Sequence, residues 1–109
     1  MPVMTGSDAV VQSLINEGID LVFGIPGYHS EHLYGRLMQQ DKIRHVLVRH
    51  EQGAGYMAIG AARVTGKPAC VLSTAGPGAL NIATPMGEAY GDTVPLLNIM
   101  AEDLSEYLY

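Results

Sequence analysis

The sequence has few of the features that mark secreted, membrane or nucleic-acid-binding proteins. Cys70 is the one cysteine among 109 residues, so no internal disulfide can form and a reducing cytoplasm is expected. No apolar run approaches the roughly 18 residues that cross a bilayer. The first residues show no basic patch leading into an apolar stretch. We therefore expect neither a membrane association nor a signal peptide.

Charged residues are also scarce, and acidic residues outnumber basic ones. Charged residues make up 16% of the chain, the net charge is −5, and the six basic residues are scattered. Because nucleic-acid binding requires a basic stripe along the phosphate backbone, this distribution excludes it as the expected function. Hydrophobic residues make up 48%, which excludes disorder. The length predicts a single domain over residues 1–109.

Short apolar runs alternate with segments of helical pattern along the whole chain. The runs that predict strands lie at 20–25, 43–48, 69–73 and 94–100. Each strand is continuously apolar, so the pattern predicts a three-layer α/β fold with a parallel sheet covered by helices on both faces. A helix is predicted over 51–65. Another runs to about residue 90, and Pro85 must kink or restart it; Thr84 as cap with Pro85 at the first helical position is the restart option.

Capping residues indicate where the first two helices begin and end. Thr5, Ser7 and Asp8 each offer an N-cap for the first helix, and Gly18 stands where a glycine C-terminal stop is expected. Ser30 is a candidate N-cap for the second helix.

Glycine-rich turns follow three of the predicted strands, at 24–27, 49–53 and 74–81. Ligands of open parallel sheets bind at this edge. Gly76 and Gly78 begin a G-x-G pattern, but Asn81 stands where the third glycine of a dinucleotide fingerprint would be, and no Walker A sequence occurs. Glycines that only permit tight turns remain the alternative to a ligand site.

Metal ligation and cysteine chemistry are not expected. His29 and His32 are spaced i, i+3, but a metal site needs a third ligand within reach. Cys70 lies in the middle of a predicted strand, where cysteine is usually a small core residue.

Glu51 is the candidate catalytic residue because it follows a strand directly and begins a helix rich in glycine and alanine. The alternative interpretation is a carboxylate that only interacts with the helix dipole. The small residues, however, indicate close approach by another helix or a flat ligand. A glutamate at such an interface could act as a general acid or base.

Five segments occur in an order that resembles one enzyme family. They are GIPG at 24–27, IRHVLVRHEQGA at 43–54, AARVTGKP at 61–68, STAGPGALN at 73–81 and AYGDTVPLL at 89–97. Together they are similar to the pyrimidine-binding domain of the acetolactate synthase-like thiamine diphosphate enzymes, over roughly residues 4 to 100. Each motif alone is weak, but five in register are specific.

The resemblance implies a cofactor and a set of site residues. Glu51 matches the glutamate that hydrogen-bonds N1′ of the aminopyrimidine, which favours the imino tautomer and removal of the thiazolium C2 proton. The resulting ylid attacks a 2-oxo acid, and the cofactor serves as electron sink. By the same matching, the pyrimidine side of the site is lined by Pro26, Gly27, Thr74, Gly78 and Asn81.

The chain also departs from the family pattern. The family domain usually has six parallel strands, against about four here, so the thiamine diphosphate-binding fold is expected to be incomplete. The Gly-Asp-Gly motif that holds Mg²⁺ and the diphosphate is absent; the nearest string is Gly91-Asp92-Thr93. We therefore expect a homodimer that needs a diphosphate-binding partner domain and is inactive alone. The alternative is a non-catalytic dimerisation or interaction module derived from such an enzyme.

Overall fold

The computed structural model describes residues 3–102, which form one parallel sheet between two helical layers. The strands are β1 Leu21–Gly24, β2 Arg44–Leu47, β3 Ala69–Ser73 and β4 Leu96–Met100, in the order β2-β1-β3-β4. Every neighbouring pair is parallel. The helices are α1 Gly6–Asn16, α2 Glu31–Leu37, α3 Glu51–Thr65, α4 Pro77–Asn81 and α5 Ala83–Gly91. The predicted α/β class is confirmed; three of the strands are one or two residues shorter at one or both ends than predicted.

The two central strands, β1 and β3, divide their side chains between two separate cores. On β1, Val22 faces a core shared with α1 and α2, whereas Phe23 faces a core shared with α3. On β3, Cys70 and Leu72 lie on the first side and Val71 on the second. This two-residue period explains why the central strands are apolar, because helices cover both of their faces. The edge strands β2 and β4 each include exposed residues.

The ends of α1 follow the predicted capping residues, but α2 does not. Thr5 caps α1 in a reciprocal capping box with Asp8, and Gly18, just past the helix, adopts the left-handed conformation at φ 76°. Ser30 does occupy the position before α2, yet its hydroxyl makes no capping bond to the helix. It bonds instead to the backbone of Gly27, and the expected cap is wrong in that respect.

The helix break near Pro85 falls earlier than predicted. The two helices α4 and α5 are separated at Ile82, whose backbone stays in the right-handed helical region. Helix α5 begins at Ala83, and Pro85 is its third residue rather than its first, so Thr84 is not the cap. Proline has no N–H to donate to the carbonyl four residues earlier, that of Asn81, so a continuous helix would lose that bond. Pro85 is buried against Gly55 of α3, where a Cβ would stand 2.5 Å from the Cβ of the proline.

Within residues 3–102, no helix has both the length and the apolar character needed to span a membrane.

Cys70 is fully buried, and burial raises the pKa of its thiol to about 12. Since the thiolate is the reactive form, we expect a thiol reagent at pH 8 to modify the folded chain at least about a hundredfold more slowly than the chain in concentrated guanidinium chloride. Absorbance of the released thiol product measures both rates. Equal rates would contradict the buried position of Cys70.

Candidate functional site

The site lies where the strand order reverses. The chain passes from β1 outward to β2, then crosses back to β3 on the other side of β1, so the loops that follow β1 and β3 diverge from a common point. Gly27, in the first loop, and Thr74, in the second, are in direct contact: a Cβ on Gly27 would stand 2.8 Å from the Cβ of Thr74. A glycine is therefore required for this approach.

Glu51 is the first residue of α3, as predicted, and its position is set by a local cap. His50 precedes the helix in an extended conformation, and its Nδ1 accepts a hydrogen bond of 3.1 Å from the backbone N–H of Gln52. Glu51 is half-buried, at the positive end of a 15-residue helix dipole. The capping role of His50 was missed, because histidine is not among the usual N-cap residues.

The carboxylate of Glu51 is held by a residue thirty positions away. Asn81, at the end of α4, donates from Nδ2 to Oε2 of Glu51 at 2.9 Å. The other oxygen, Oε1, lies beside Gly78, where a Cβ would stand 3.1 Å from it and 3.0 Å from Cγ2 of Thr74. One oxygen of Glu51 is thus bound, and the other lies close to the backbone of Gly78, which carries no side chain.

The loop after β1 is stabilised by Ser30. Its buried hydroxyl accepts a bond from the Gly27 N–H and donates one to the Gly27 carbonyl, both at 3.0 Å. His29 lies on the exposed side of this turn, with Nδ1 3.4 Å from Oγ1 of Thr74. The spacing of Ser30 three residues after Gly27 is a signal for such a turn, and it was interpreted only as a helix cap.

The structure brings five of the six predicted site residues into one cluster. Glu51, Asn81, Gly78, Thr74 and Gly27 are linked by the contacts above. The sixth, Pro26, directly precedes Gly27 and is exposed. Their roles toward a cofactor stay predictions.

Comparison with known proteins gives the family. Residues 4–108 match the model of the thiamine pyrophosphate enzyme, N-terminal TPP binding domain. Over 105 residues the chain is 52% identical to the "Probable 2-ketoarginine decarboxylase" of Pseudomonas aeruginosa, covering 96% of this chain and 19% of that protein. Over 99 residues it is 48% identical to the acetolactate synthase large subunit of Corynebacterium glutamicum, covering 91% of this chain and 16% of that protein.

A solved structure has the same fold. A protein of Mycobacterium smegmatis, described as a thiamin diphosphate-dependent enzyme, superposes with a TM-score of 0.88 at 29% identity, covering 97% of this chain and 20% of that one. The chain thus spans about a fifth or less of the length of these relatives. It belongs to the thiamine pyrophosphate enzymes, and it corresponds to their N-terminal cofactor-binding domain.

Proposed function

We propose that this chain supplies the pyrimidine side of a thiamine diphosphate site for a lyase or transferase of 2-oxo acids, either acetolactate synthase-like or 2-oxo acid decarboxylase-like, with Glu51 as the activating carboxylate. The observation that carries this proposal is the state of that carboxylate. Oε2 is fixed by Asn81, and Oε1 lies beside the side-chain-free surface of Gly78 at the switch point of the sheet.

The residues present fit an aminopyrimidine ring. A flat ring needs a slot without side chains, and Gly27 and Gly78 both lack a Cβ where one would collide with Thr74. A ring nitrogen such as N1′ needs a carboxyl group in hydrogen-bond reach, and Glu51 is half-buried rather than fully solvated.

Thiamine diphosphate, when bound, supplies an electron sink for the decarboxylation of a 2-oxo acid. The contribution of this chain would be the carboxyl group of Glu51, which holds a proton at a defined position. Oε1 of Glu51 would hold or release a proton facing a ring nitrogen, while the Asn81 amide holds the other carboxylate oxygen in place.

We further propose that the diphosphate and its Mg²⁺ are held by a separate diphosphate-binding domain, since the sequence has no Gly-Asp-Gly motif. The chain by itself is then expected to bind the cofactor weakly and to be inactive. Calorimetry with Mg²⁺ and thiamine diphosphate should show no tight binding. A dissociation constant below 1 μM, about −8 kcal/mol or better, would overturn this expectation.

Calorimetry on a fusion protein tests whether this domain contributes to cofactor binding when a diphosphate-binding domain is present. Residues 1–100, joined to the diphosphate-binding domain of an acetolactate synthase-like relative, should bind the cofactor tightly. If the fusion folds and does not bind it, the proposed function is wrong.

We also propose a homodimer formed through the helices on the Glu51 side of the sheet. Helices α3, α4 and α5 pack against one another. They expose a set of large apolar side chains: Tyr56, Met57, Leu80, Met86 and Tyr90. Exposed apolar area of this kind marks an interaction surface.

Light scattering at about tenth-millimolar concentration should therefore give the mass of a dimer. Met57→Glu on α3 should dissociate it, whereas Met38→Glu, at an exposed methionine following α2, should leave it intact. A monomeric parent protein would contradict the proposal. The apolar surface also supports the alternative function, a non-catalytic dimerisation module, for which the parent would dimerise while the fusion failed to bind cofactor.

The single buried cysteine supports a cytoplasmic location, which we include in the proposal.

A further inference from the structure

A buried tyrosine hydroxyl lies beneath the site on the opposite face of the sheet, in the core that α1 and α2 cover. Tyr34 of α2 is 6% exposed. Its hydroxyl donates to the backbone carbonyl of Leu72 on β3 at 3.4 Å and lies 3.2 Å from Nε2 of His45 on β2. The two rings meet edge to face, with centroids 5.0 Å apart. The hydroxyl thus connects a residue of β2 with a residue of β3.

Gly24, the last residue of β1, makes room for this hydroxyl. A Cβ on Gly24 would stand 2.5 Å from the Tyr34 oxygen and would also overlap the Leu72 carbonyl. In the sheet register, Gly24 pairs with Leu72 on one side and with Leu47 on the other. The tyrosine oxygen therefore lies against the carboxyl ends of β1 and β3, and it contacts β2 through the side chain of His45, the second residue of that strand.

The tautomer of His45 determines the direction of its bond to Tyr34. With the hydroxyl proton donated to the Leu72 carbonyl, the matching tautomer carries its proton on Nε2 and donates to the tyrosine oxygen. Burial lowers the pKa of His45, which keeps the ring neutral near pH 7. Burial, together with the charges of Cys70 and Glu51, raises the pKa of Tyr34, so its hydroxyl keeps the proton. The group is a chain of neutral hydrogen bonds.

Each strand that Tyr34 contacts leads into one part of the site. Pro26 and Gly27 follow Gly24 after one and two further residues, and Thr74 is two residues beyond Leu72. The strand of His45, β2, ends four residues before Glu51. The loops that carry the site residues thus start from the three strands joined by one side chain.

We propose that Tyr34 is a positioning residue, whose hydroxyl sets the spacing of β1, β2 and β3 and thereby the contacts of Glu51 with Asn81 and Gly78 and of Thr74 with Gly27. Calling this cluster a cofactor site rests on the proposed function, but the positioning itself does not. Removing the hydroxyl leaves the Nε2–H of His45 without its buried acceptor and the Leu72 carbonyl without its donor, so the strand ends shift to recover partners.

The test uses the chain without cofactor, by ¹⁵N nuclear magnetic resonance. Tyr34→Phe keeps the ring and its packing and removes the oxygen. We expect shifts at the backbone amides of Gly27 and Gly78 and at the side-chain amide of Asn81, which reports its bond to Glu51. The control is Ser13→Ala, which removes the hydroxyl of an exposed residue of α1; it should leave the same signals unmoved.

A second pair of variants tests the other end of the group. His45→Gln keeps an N–H donor at the reach of Nε2, and His45→Leu removes it. The glutamine variant should keep the site signals at their positions in the parent chain. The leucine variant should shift them as Tyr34→Phe does. If Tyr34→Phe does not fold, the two His45 variants test the proposal by themselves.

A purely structural tyrosine would give a different result. The signals of Gly24, Leu72 and His45 would move, and stability would fall, while Gly27, Gly78 and Asn81 stayed at their parent positions. That outcome overturns the proposal. Because no cofactor enters this measurement, a failure here is distinct from a failure of the fusion to bind thiamine diphosphate.

Discussion

Replacement of Glu51 by Gln is expected to slow proton exchange at C2 of bound thiamine diphosphate by about 10²–10⁴-fold in a complete enzyme that carries this domain. Glutamine fills the same volume and still accepts the bond from Asn81 Nδ2. It cannot, however, give or take a proton at the position of Oε1. The loss therefore measures proton transfer rather than packing.

The measurement requires residues 1–100 grafted onto the diphosphate-binding domain of an acetolactate synthase-like relative, with exchange followed by rapid quench in deuterated buffer. Glu17→Gln is the control, because Glu17 is exposed at the C-terminal end of α1 and lies outside the loops that carry the site residues. Its rate should equal that of the parent. If Glu51→Gln exchanges as fast as the parent, Glu51 is only a helix-terminal charge and the proposed function fails.

Gly24→Ala is expected to destabilise the fold by about 3 kcal/mol, the upper part of the usual range for overpacking a core. The added Cβ would overlap the Leu72 carbonyl, and that atom is part of the β3 backbone in the centre of the sheet. A flexible side chain could rotate away, but a carbonyl within a parallel ladder cannot move without separating the strands. This is a large share of the 5–15 kcal/mol typical of a domain.

Urea unfolding monitored by circular dichroism gives the free energy of unfolding. The control is Gly60→Ala on α3, where an added Cβ would meet nothing within 4 Å. Alanine is the better helix former, so that variant should gain roughly 0.5–1 kcal/mol. A stable Gly24→Ala variant would show that β1 and β3 do not approach as closely as the structure has them.

Much of the fold could be predicted because its signals are local. The four apolar runs are short, bounded by glycine or proline, and separated by helical periodicity, which a buried parallel sheet requires. Thr5 and Gly18 marked the ends of the first helix for the same reason, since caps satisfy backbone groups within a few residues. Glu51 at the start of α3 was predictable because a strand end and a helix start are adjacent in the sequence.

The errors arose where two local signals competed for one residue. Ser30 is suited both to a helix cap and to a tight turn, and the turn with Gly27 took its hydroxyl. Near Pro85, the helix could restart at several positions; packing against Gly55 decided where, and the break fell at Ile82. Propensity alone does not distinguish such alternatives. The alternatives differ in local propensity by less free energy than the tertiary contact that selects one of them contributes.

The sequence by itself determined the layers of this protein, the order of its elements and the family to which it belongs. Periodicity, caps and motif order all depend on residues that are close together in the sequence. Only the tertiary structure decided which distant side chains meet. Asn81 reaches Glu51 across thirty residues, and Tyr34 reaches Leu72 across thirty-eight. Those contacts depend on strand order and register, which bring loops together at one edge of the sheet, and no local pattern specifies the distances between them.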